Sequence, residues 1–224
     1  MRRIKFNDNY FENIDTEAKA YFLGFIAADG SIVRNRYSLC VHVNNKDIEV
    51  LNKFIKDIKF EGKVWNNPTR YDMCQLHLSG KKLIKDLEKY NIINNKTKIL
   101  KYPQIDEKLE RHFIRGYFDG DGCINCKKDK RDGSERGCVT IVGGSIEMIN
   151  MLNERMCMLF DLNRNNLFGP KNKDYKFISW SGMTDVERIY NGFYKESNFY
   201  LERKKATFDK VIDIIQNKKK YRKK

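Results

Sequence analysis

The 224-residue chain carries 44 Lys+Arg against 30 Asp+Glu, a formal net charge of +14, and 41% of it is hydrophobic, with 14 Phe and 12 Tyr. That apolar content excludes an intrinsically disordered chain, and no apolar run approaches the roughly 18 residues of a membrane-spanning helix. A soluble fold of one large domain or two of about 100 residues is expected, with a polyanionic partner that charge alone does not resolve among DNA, RNA and anionic lipid.

The start, Met1-Arg2-Arg3-Ile4-Lys5-Phe6, lacks the apolar stretch and small-residue cleavage site of a secretory signal, so an intracellular location is expected. Ala20 to Ile32 then reads as an apolar helix ending at Asp29-Gly30. Residues Ser31 to Val43 alternate polar and apolar around a basic turn, Arg34-Asn35-Arg36, as a hairpin with one solvated face does. From Asp47 to Ile58 the apolar Ile48, Leu51, Phe54, Ile55 and Ile58 fall at helical spacing, with Asp47 as the cap. Strands follow around Lys63-Val64-Trp65 and Met73 to Leu78, then a helix over Lys81 to Tyr90 with Leu83, Ile84 and Leu87 inward.

Past Lys101-Tyr102-Pro103 the plan repeats. His112 to Ile124 matches Ala20 to Ile32 at an offset of 92 residues, which equates Asp121-Gly122 with Asp29-Gly30. A hairpin over Asn125 to Val142, a helix over Ser145 to Phe160, strands within Leu167 to Trp180 and a helix over Thr184 to Tyr194 follow. The chain closes on a basic run, Lys218 to Lys224. Three further landmarks keep their order: Asp47-Ile48-Glu49 with Ser145-Ile146-Glu147, Leu78-Ser79-Gly80 with Trp180-Ser181-Gly182, and Asn95-Lys96-Thr97 with Arg203-Lys204-Lys205. The expected fold is α+β: two pseudo-symmetric αββαββα halves, 1–103 and 104–224, each with a four-stranded antiparallel sheet, the second carrying a basic tail.

Each repeated helix places small residues four apart, Gly24 with Ala28 and Gly116 with Gly120, on one face where two backbones can meet. Gly30 and Gly122 stand where a left-handed residue closes a helix, which puts Asp29 and Asp121 at the negative ends of two helix dipoles. Two carboxylates gathered there repel each other, and a divalent cation would remove the penalty on both. A single Asp-Gly is an ordinary helix stop; the duplicated pair points to a site. Cys123 and Cys126 form a C-x-x-C with Cys138 downstream, but no fourth Cys or His closes a tetrahedral zinc site, so they read as hairpin residues.

Phe22-Leu23-Gly24-Phe25-Ile26-Ala27-Ala28-Asp29-Gly30 and Ile114-Arg115-Gly116-Tyr117-Phe118-Asp119-Gly120-Asp121-Gly122 resemble the two nonapeptides of double-motif LAGLIDADG homing endonucleases, and the resemblance extends over nearly the whole chain. It implies that the motif helices pair between the halves and that the last acidic residue of each motif, Asp29 and Asp121, is catalytic and binds Mg²⁺ or another divalent cation such as Mn²⁺. The backbone carbonyls of Ala28 and Gly120 are further metal-ligand candidates. Ala27 departs from the motif where Asp119 keeps its earlier acidic residue. Lys96 and Lys204 match the family's basic residues near the scissile phosphates, in the stretch before each half's last helix, with Lys98 and Arg203 as fallbacks. Asn45 matches a polar residue that orients water, and its counterpart Gly143 does not.

The resemblance also implies that the two sheets form a saddle over the DNA major groove. Counting in twos puts Ser31, Asn35, Ser38, His42 and Asn44 on the reading face, with Thr140 equivalent to His42. Gln75, His77, Lys176 and Ser179 are the candidates on the second hairpins, and Arg34 and Arg36 join them from the turn. The implied activity is a metal-dependent double-strand break in a long, non-palindromic double-stranded DNA site, made by a monomer and leaving short 3′ overhangs. RNA maturases that assist intron splicing and non-cleaving DNA-binding regulators share this fold. Regulators often lose the acidic pair and gain a further domain, whereas the maturase alternative, with intron RNA as partner, stays open. Inteins that carry such nucleases need a nucleophile at the start and a terminal Asn, where this sequence has Met1 and Lys223-Lys224, so a free-standing enzyme is expected. Its wealth of Lys, Asn and Ile suits an AT-rich phage, organellar or low-GC bacterial gene.

Overall fold

The computed structural model describes residues 4–66, 72–128, 133, 135–170 and 172–222. The first repeated helix, α1 (Glu17–Asp29), starts where the Thr16 side chain accepts a hydrogen bond from the Lys19 amide. It is buried on every side from Ala20 to Ala27, as a helix clasped between two layers must be. It passes without a loop into β1 (Gly30–Val33). A 3-10 turn at Arg34–Arg36, closed by Tyr37 at φ 45°, leads to β2 (Ser38–Asn44), and a second 3-10 turn, Asn45–Asp47, leads to α2 (Ile48–Asp57). Then come β3 (Trp65–Asn66), β4 (Met73–Ser79), α3 (Lys81–Lys89) and a 3-10 turn at Lys96–Lys98.

The second half runs α4 (Glu107–Asp121), β5 (Gly122–Lys128), β6 (Glu135–Gly143), α5 (Ile146–Phe160), β7 (Lys176–Trp180), α6 (Met183–Tyr194) and α7 (Glu202–Arg222). Asp106 and Ser145 cap α4 and α5 with their side chains. One antiparallel sheet has the order β1-β2-β4-β3, the other β5-β6-β7. A single buried cluster joins the halves, with Phe22 and Phe54 on one side and Phe118, Phe193 and Phe208 on the other. Burying each such ring stabilises the fold by on the order of 1.5–3 kcal/mol.

Four expectations need correction. The second sheet has three strands among the described residues, and one bridge between Phe168 and Phe177 stands where a fourth strand was expected. The basic run up to Arg222 is no loose tail. It ends α7, whose Phe208, Val211, Ile212 and Ile215 are buried against the second sheet, while Lys223 and Lys224 lie outside the described residues. Gly30 and Gly122 are extended (φ −77° and −96°) rather than left-handed. They are small for a steric reason: each helix turns straight into a strand over its own last turn. A Cβ at Gly30 would sit 2.6 Å from the Ile26 carbonyl oxygen, and one at Gly122 2.2 Å from Cδ2 of Phe118. Finally, Asp47 stands at the N-terminus of α2 without a capping hydrogen bond from its side chain.

The strand registers also revise the internal alignment. Gly30 pairs with Val41 and Gly122 with Ile141, so the second hairpin is eight residues longer and Thr140 is equivalent to Cys40, not to His42. The counterpart of His42 is Val142. The tip of that longer hairpin, at residues 129–132 and 134, lies outside the described residues.

Candidate active site

The motif helices meet backbone to backbone, as the small residues predict. A Cβ at Gly24 would lie 2.0 Å from the carbonyl oxygen of Phe113, and one at Gly116 2.0 Å from that of Tyr21. These are the same contact related by the offset of 92, so the pairing is two-fold symmetric. Farther along, a Cβ at Gly120 would reach within 2.3 Å of the Ala28 Cβ and 3.2 Å of Oδ2 of Asp29. The Asp29 carboxyl therefore lies against the last turn of α4, next to the residue that precedes Asp121.

Both carboxyls carry the electrostatic cost expected of that placement. Asp29 is at the surface, yet the protein around its carboxyl withholds enough water, with Asp121 adding repulsion, to push its pKa up to about 6. Asp121 is half-buried and also raised by burial, against which Lys96, Lys204 and a hydrogen bond from the Tyr117 hydroxyl hold it down.

Lys96 and Lys204 are buried, unlike ordinary surface lysines. Lys96 Nζ donates to the carbonyl oxygens of Ala28 (3.4 Å) and Gly30. Lys204 Nζ donates to those of Phe118 (2.7 Å), Asp119 (2.7 Å), Gly120 (3.5 Å) and Gly122 (2.6 Å). Each ammonium thus sits on the carbonyl-rich end of its own half's motif helix, where a cation opposes the dipole. Their influence on the aspartates crosses over: Asp29 feels Lys204 more than Lys96, and Asp121 the reverse. Burial pulls both lysines below the ordinary range and the nearby carboxylates push back. Their places differ from expectation, since Lys96 follows α3 in a 3-10 turn and Lys204 lies in the first turn of α7.

Arg203 grips Asp47 bidentately, Nε to Oδ1 at 2.9 Å and an Nη to Oδ2 at 2.8 Å, and so ties the start of α7 to the first half beside Lys204. That pairing explains why Asp47 does not cap α2. Lys98 is ion-paired to Asp174 at 2.6 Å. Asn45, half-exposed, opens a 3-10 turn that has no equivalent in the second half, where β6 continues to Gly143. Gly143 has another role. A Cβ there would sit 2.8 Å from the Tyr117 hydroxyl, so the absence of a side chain makes room for the group that reaches Asp121.

Sequence reasoning missed Tyr117, whose only signal was its replacement of Phe25 in an otherwise matching motif. It also missed Arg115, fully buried where the first motif has Leu23. Arg115 bonds Glu17 of α1 (2.8 Å) and the backbone carbonyls of Phe193 (2.8 Å) and Phe199 (2.7 Å). Asp119 is buried, accepting from the Tyr21 hydroxyl and the Leu201 amide at 2.8 Å each. It therefore bridges the helices away from the site.

Of the sheet residues, Ser31, His42, Gln75 and His77 share the polar face of the first sheet, and Thr140 and Ser179 that of the second. Arg34, Asn35 and Arg36 are exposed in the hairpin turn, so Asn35 belongs to the loop and not to the alternating face. Ser38 is buried and bonded to Ser79, and Asn44 spends its side chain on the Lys46 amide. Lys176 alternates with Ile178 and Trp180 onto the core side, and Phe177 takes the polar-face position. Its Nζ turns to the Pro170 carbonyl. Cys123 and Cys126, three apart on one strand, point to opposite faces and share no ligand position.

No protein-family model matches the chain. Among curated proteins, it is 26% identical over 207 residues to the DNA-directed RNA polymerase subunit Rpo1C of Methanocaldococcus jannaschii, and 23% identical over 210 residues to that organism's probable translation initiation factor IF-2. Each match covers 90% of this chain, but the chain spans only about a fifth of the length of these relatives, 22% and 16%. Solved structures give the fold. The I-LtrWI LAGLIDADG homing endonuclease bound to target DNA is similar over 95% of this chain and 92% of its own, with a TM-score of 0.64 and 15% identity. I-GzeII, in complex with its DNA target, matches over 89% and 91% at 0.65 and 12%. I-SmaMI bound to uncleaved DNA in the presence of calcium ions matches over 92% and 93% at 0.64 and 14%. The chain has the double-motif LAGLIDADG fold. Among its described residues no helix is long and apolar enough to cross a membrane.

Proposed function

We propose that this chain is a double-motif LAGLIDADG homing endonuclease with halves 1–103 and 104–224. As a monomer it makes a metal-dependent double-strand break in a long, non-palindromic DNA site, leaving short 3′ overhangs. The convergence of Asp29 and Asp121 at the abutting ends of α1 and α4 carries this reading. Two carboxyls whose charge is opposed by burial, with the carbonyls of Ala28 and Gly120 alongside making only long contacts to lysine, form a hard-oxygen donor set that suits Mg²⁺ or Mn²⁺. A cation held there would activate water and stabilise the leaving oxygen of a phosphodiester. Around it, the chain's own groups set the stage. Lys96 and Lys204 fix the helix ends and place two positive charges beside the carboxyls, where scissile phosphates would approach. Tyr117 orients Asp121, and Asn45 orients water. The polar faces bearing Ser31, Gln75, Thr140 and Ser179 read bases, while Arg34, Asn35 and Arg36 bind phosphates.

Support for a homing module comes from the curated relatives: a stretch like this one lies within two long chains of differing kinds. The test is incubation with Mg²⁺ and DNA spanning the insertion site of the chain's own coding sequence, using the parent, Asp29→Asn and Asp121→Asn. Specific cleavage by the parent, lost in both variants while binding persists, supports the mechanism. Variants that still cut overturn the metal assignment. A parent that binds the site without cutting is a regulator, and one that binds folded intron RNA instead is a maturase.

A further inference from the structure

We infer that the polar face of the first sheet holds a second metal site, a zinc-class divalent cation bound by Cys40, His42 and His77. The three ligand atoms lie within 4.8 Å of one another, with Cys40 Sγ 2.8 Å from Nε2 of His42 and 3.3 Å from Nε2 of His77. Cys40 and His77 are directly opposed across the β2–β4 pair, and His42 follows Cys40 on the same face, so all three stand on the two inner strands of the four-stranded sheet. A thiolate with two imidazole nitrogens is a zinc donor set, tetrahedral once a fourth ligand is added. Cys40 is buried and His77 exposed, so the fourth position opens outward from the sheet and is filled by water. The Asp29–Asp121 centre is all oxygen, so the two sites select different ions.

The second half shows what these positions do without a metal. At the register of Cys40 and His77 stand Thr140 and Ser179, hydroxyl to hydroxyl at 3.1 Å, and Val142 replaces His42. The site is therefore confined to one half. In the metal-free protein burial pushes the Cys40 thiol up to about 11, so coordination must displace its proton. Each cation bound converts one thiol to a thiolate and releases one H⁺ to the buffer.

The test is titration of the purified, metal-stripped full chain with Co²⁺ and then Zn²⁺. One equivalent of Co²⁺ should give thiolate-to-cobalt charge-transfer absorption and tetrahedral d–d bands, both abolished by one equivalent of Zn²⁺ and unaffected by Mg²⁺. Cys40→Thr and His77→Ser install the residues that the second half already accommodates. Each should weaken binding by more than about 100-fold while the circular dichroism stays native. The signal should survive in Asp29→Asn and Asp121→Asn, which separates this site from the proposed cleavage centre whatever that centre's activity. No stoichiometric binding, or binding that persists in both Cys40→Thr and His77→Ser, would overturn the inference.

Discussion

The two halves agree in backbone and differ in polar atoms. At the helix interface Gly24 and Gly116 make the same 2.0 Å approach to the opposite carbonyl, and Lys96 and Lys204 both close the carbonyl end of their own motif helix. Around the carboxyls the symmetry lapses. Asp121 receives the Tyr117 hydroxyl through space that Gly143 leaves, whereas the first half has Phe25 and, by strand register, Val43 at those places. Steric requirements at a backbone contact admit one solution, so both copies keep it. Polar surroundings of a carboxyl admit several, so the two copies are free to differ there.

The largest effect is expected at the shared element. Asp29→Asn and Asp121→Asn should each lower double-strand cleavage by at least ~10³-fold while leaving DNA affinity within a few-fold, read by gel assays of cutting and of binding. A loss confined to one variant would mean that the halves cut with separate machinery. Gly24→Ala and Gly116→Ala come next. A methyl group aimed at a backbone oxygen cannot be relieved by a rotamer change, so the helices must part. Each variant should lose about 3 kcal/mol of stability, roughly 6–12 °C in Tm, and the two losses should match. Unequal losses would show that the interface is less symmetric than its geometry.

Much of this was legible in the sequence because it is repetitive. The duplicated Asp-Gly, the small residues four apart and the lysines inside a matching triplet each occur twice, and the structure brings those residues together. What was not legible occurs once or depends on strand register. An eight-residue extension of the second hairpin shifts the pairing of β6 without disturbing its alternation, so Thr140 was equated with His42 and Cys40 was overlooked. Lys176 was assigned to the wrong face for want of the same register. Helix α7 looked like a charged tail because its apolar residues, Phe208, Val211, Ile212 and Ile215, precede the lysines rather than alternate with them.

A smaller effect is expected where the halves differ. Tyr117→Phe removes a hydrogen bond to Asp121 for which Phe25, at the matching place in the first motif, supplies no donor toward Asp29. Losing a hydrogen bond to a charged acceptor is worth on the order of 1.5 kcal/mol, so cleavage should slow about 10-fold. If each carboxyl serves mainly one strand, nicked DNA should accumulate. Equal slowing of both strands would show that Asp29 and Asp121 act as one unit.

The smallest effect on cleavage is expected at Asp119, which shares the second motif with Asp121 and differs from it in surroundings. Burial pushes its carboxyl up to about 6, against the pull of Lys204 and the Leu201 and Tyr21 hydrogen bonds, and its work is to bridge the helices. A carboxyl raised in the folded state stabilises the fold below its unfolded pKa, and that contribution is lost as pH rises through the folded value. Asp119→Asn keeps an oxygen for the Tyr21 hydroxyl and the Leu201 amide and cannot ionise. Relative to the parent, its Tm should therefore improve as pH climbs from about 4 to about 6, and the difference should level off above that. Cleavage at pH 8 should stay within about threefold of the parent. A loss comparable to that of Asp121→Asn would place Asp119 in the reaction, and the division between a bridging and a reacting aspartate in one motif would have to be abandoned.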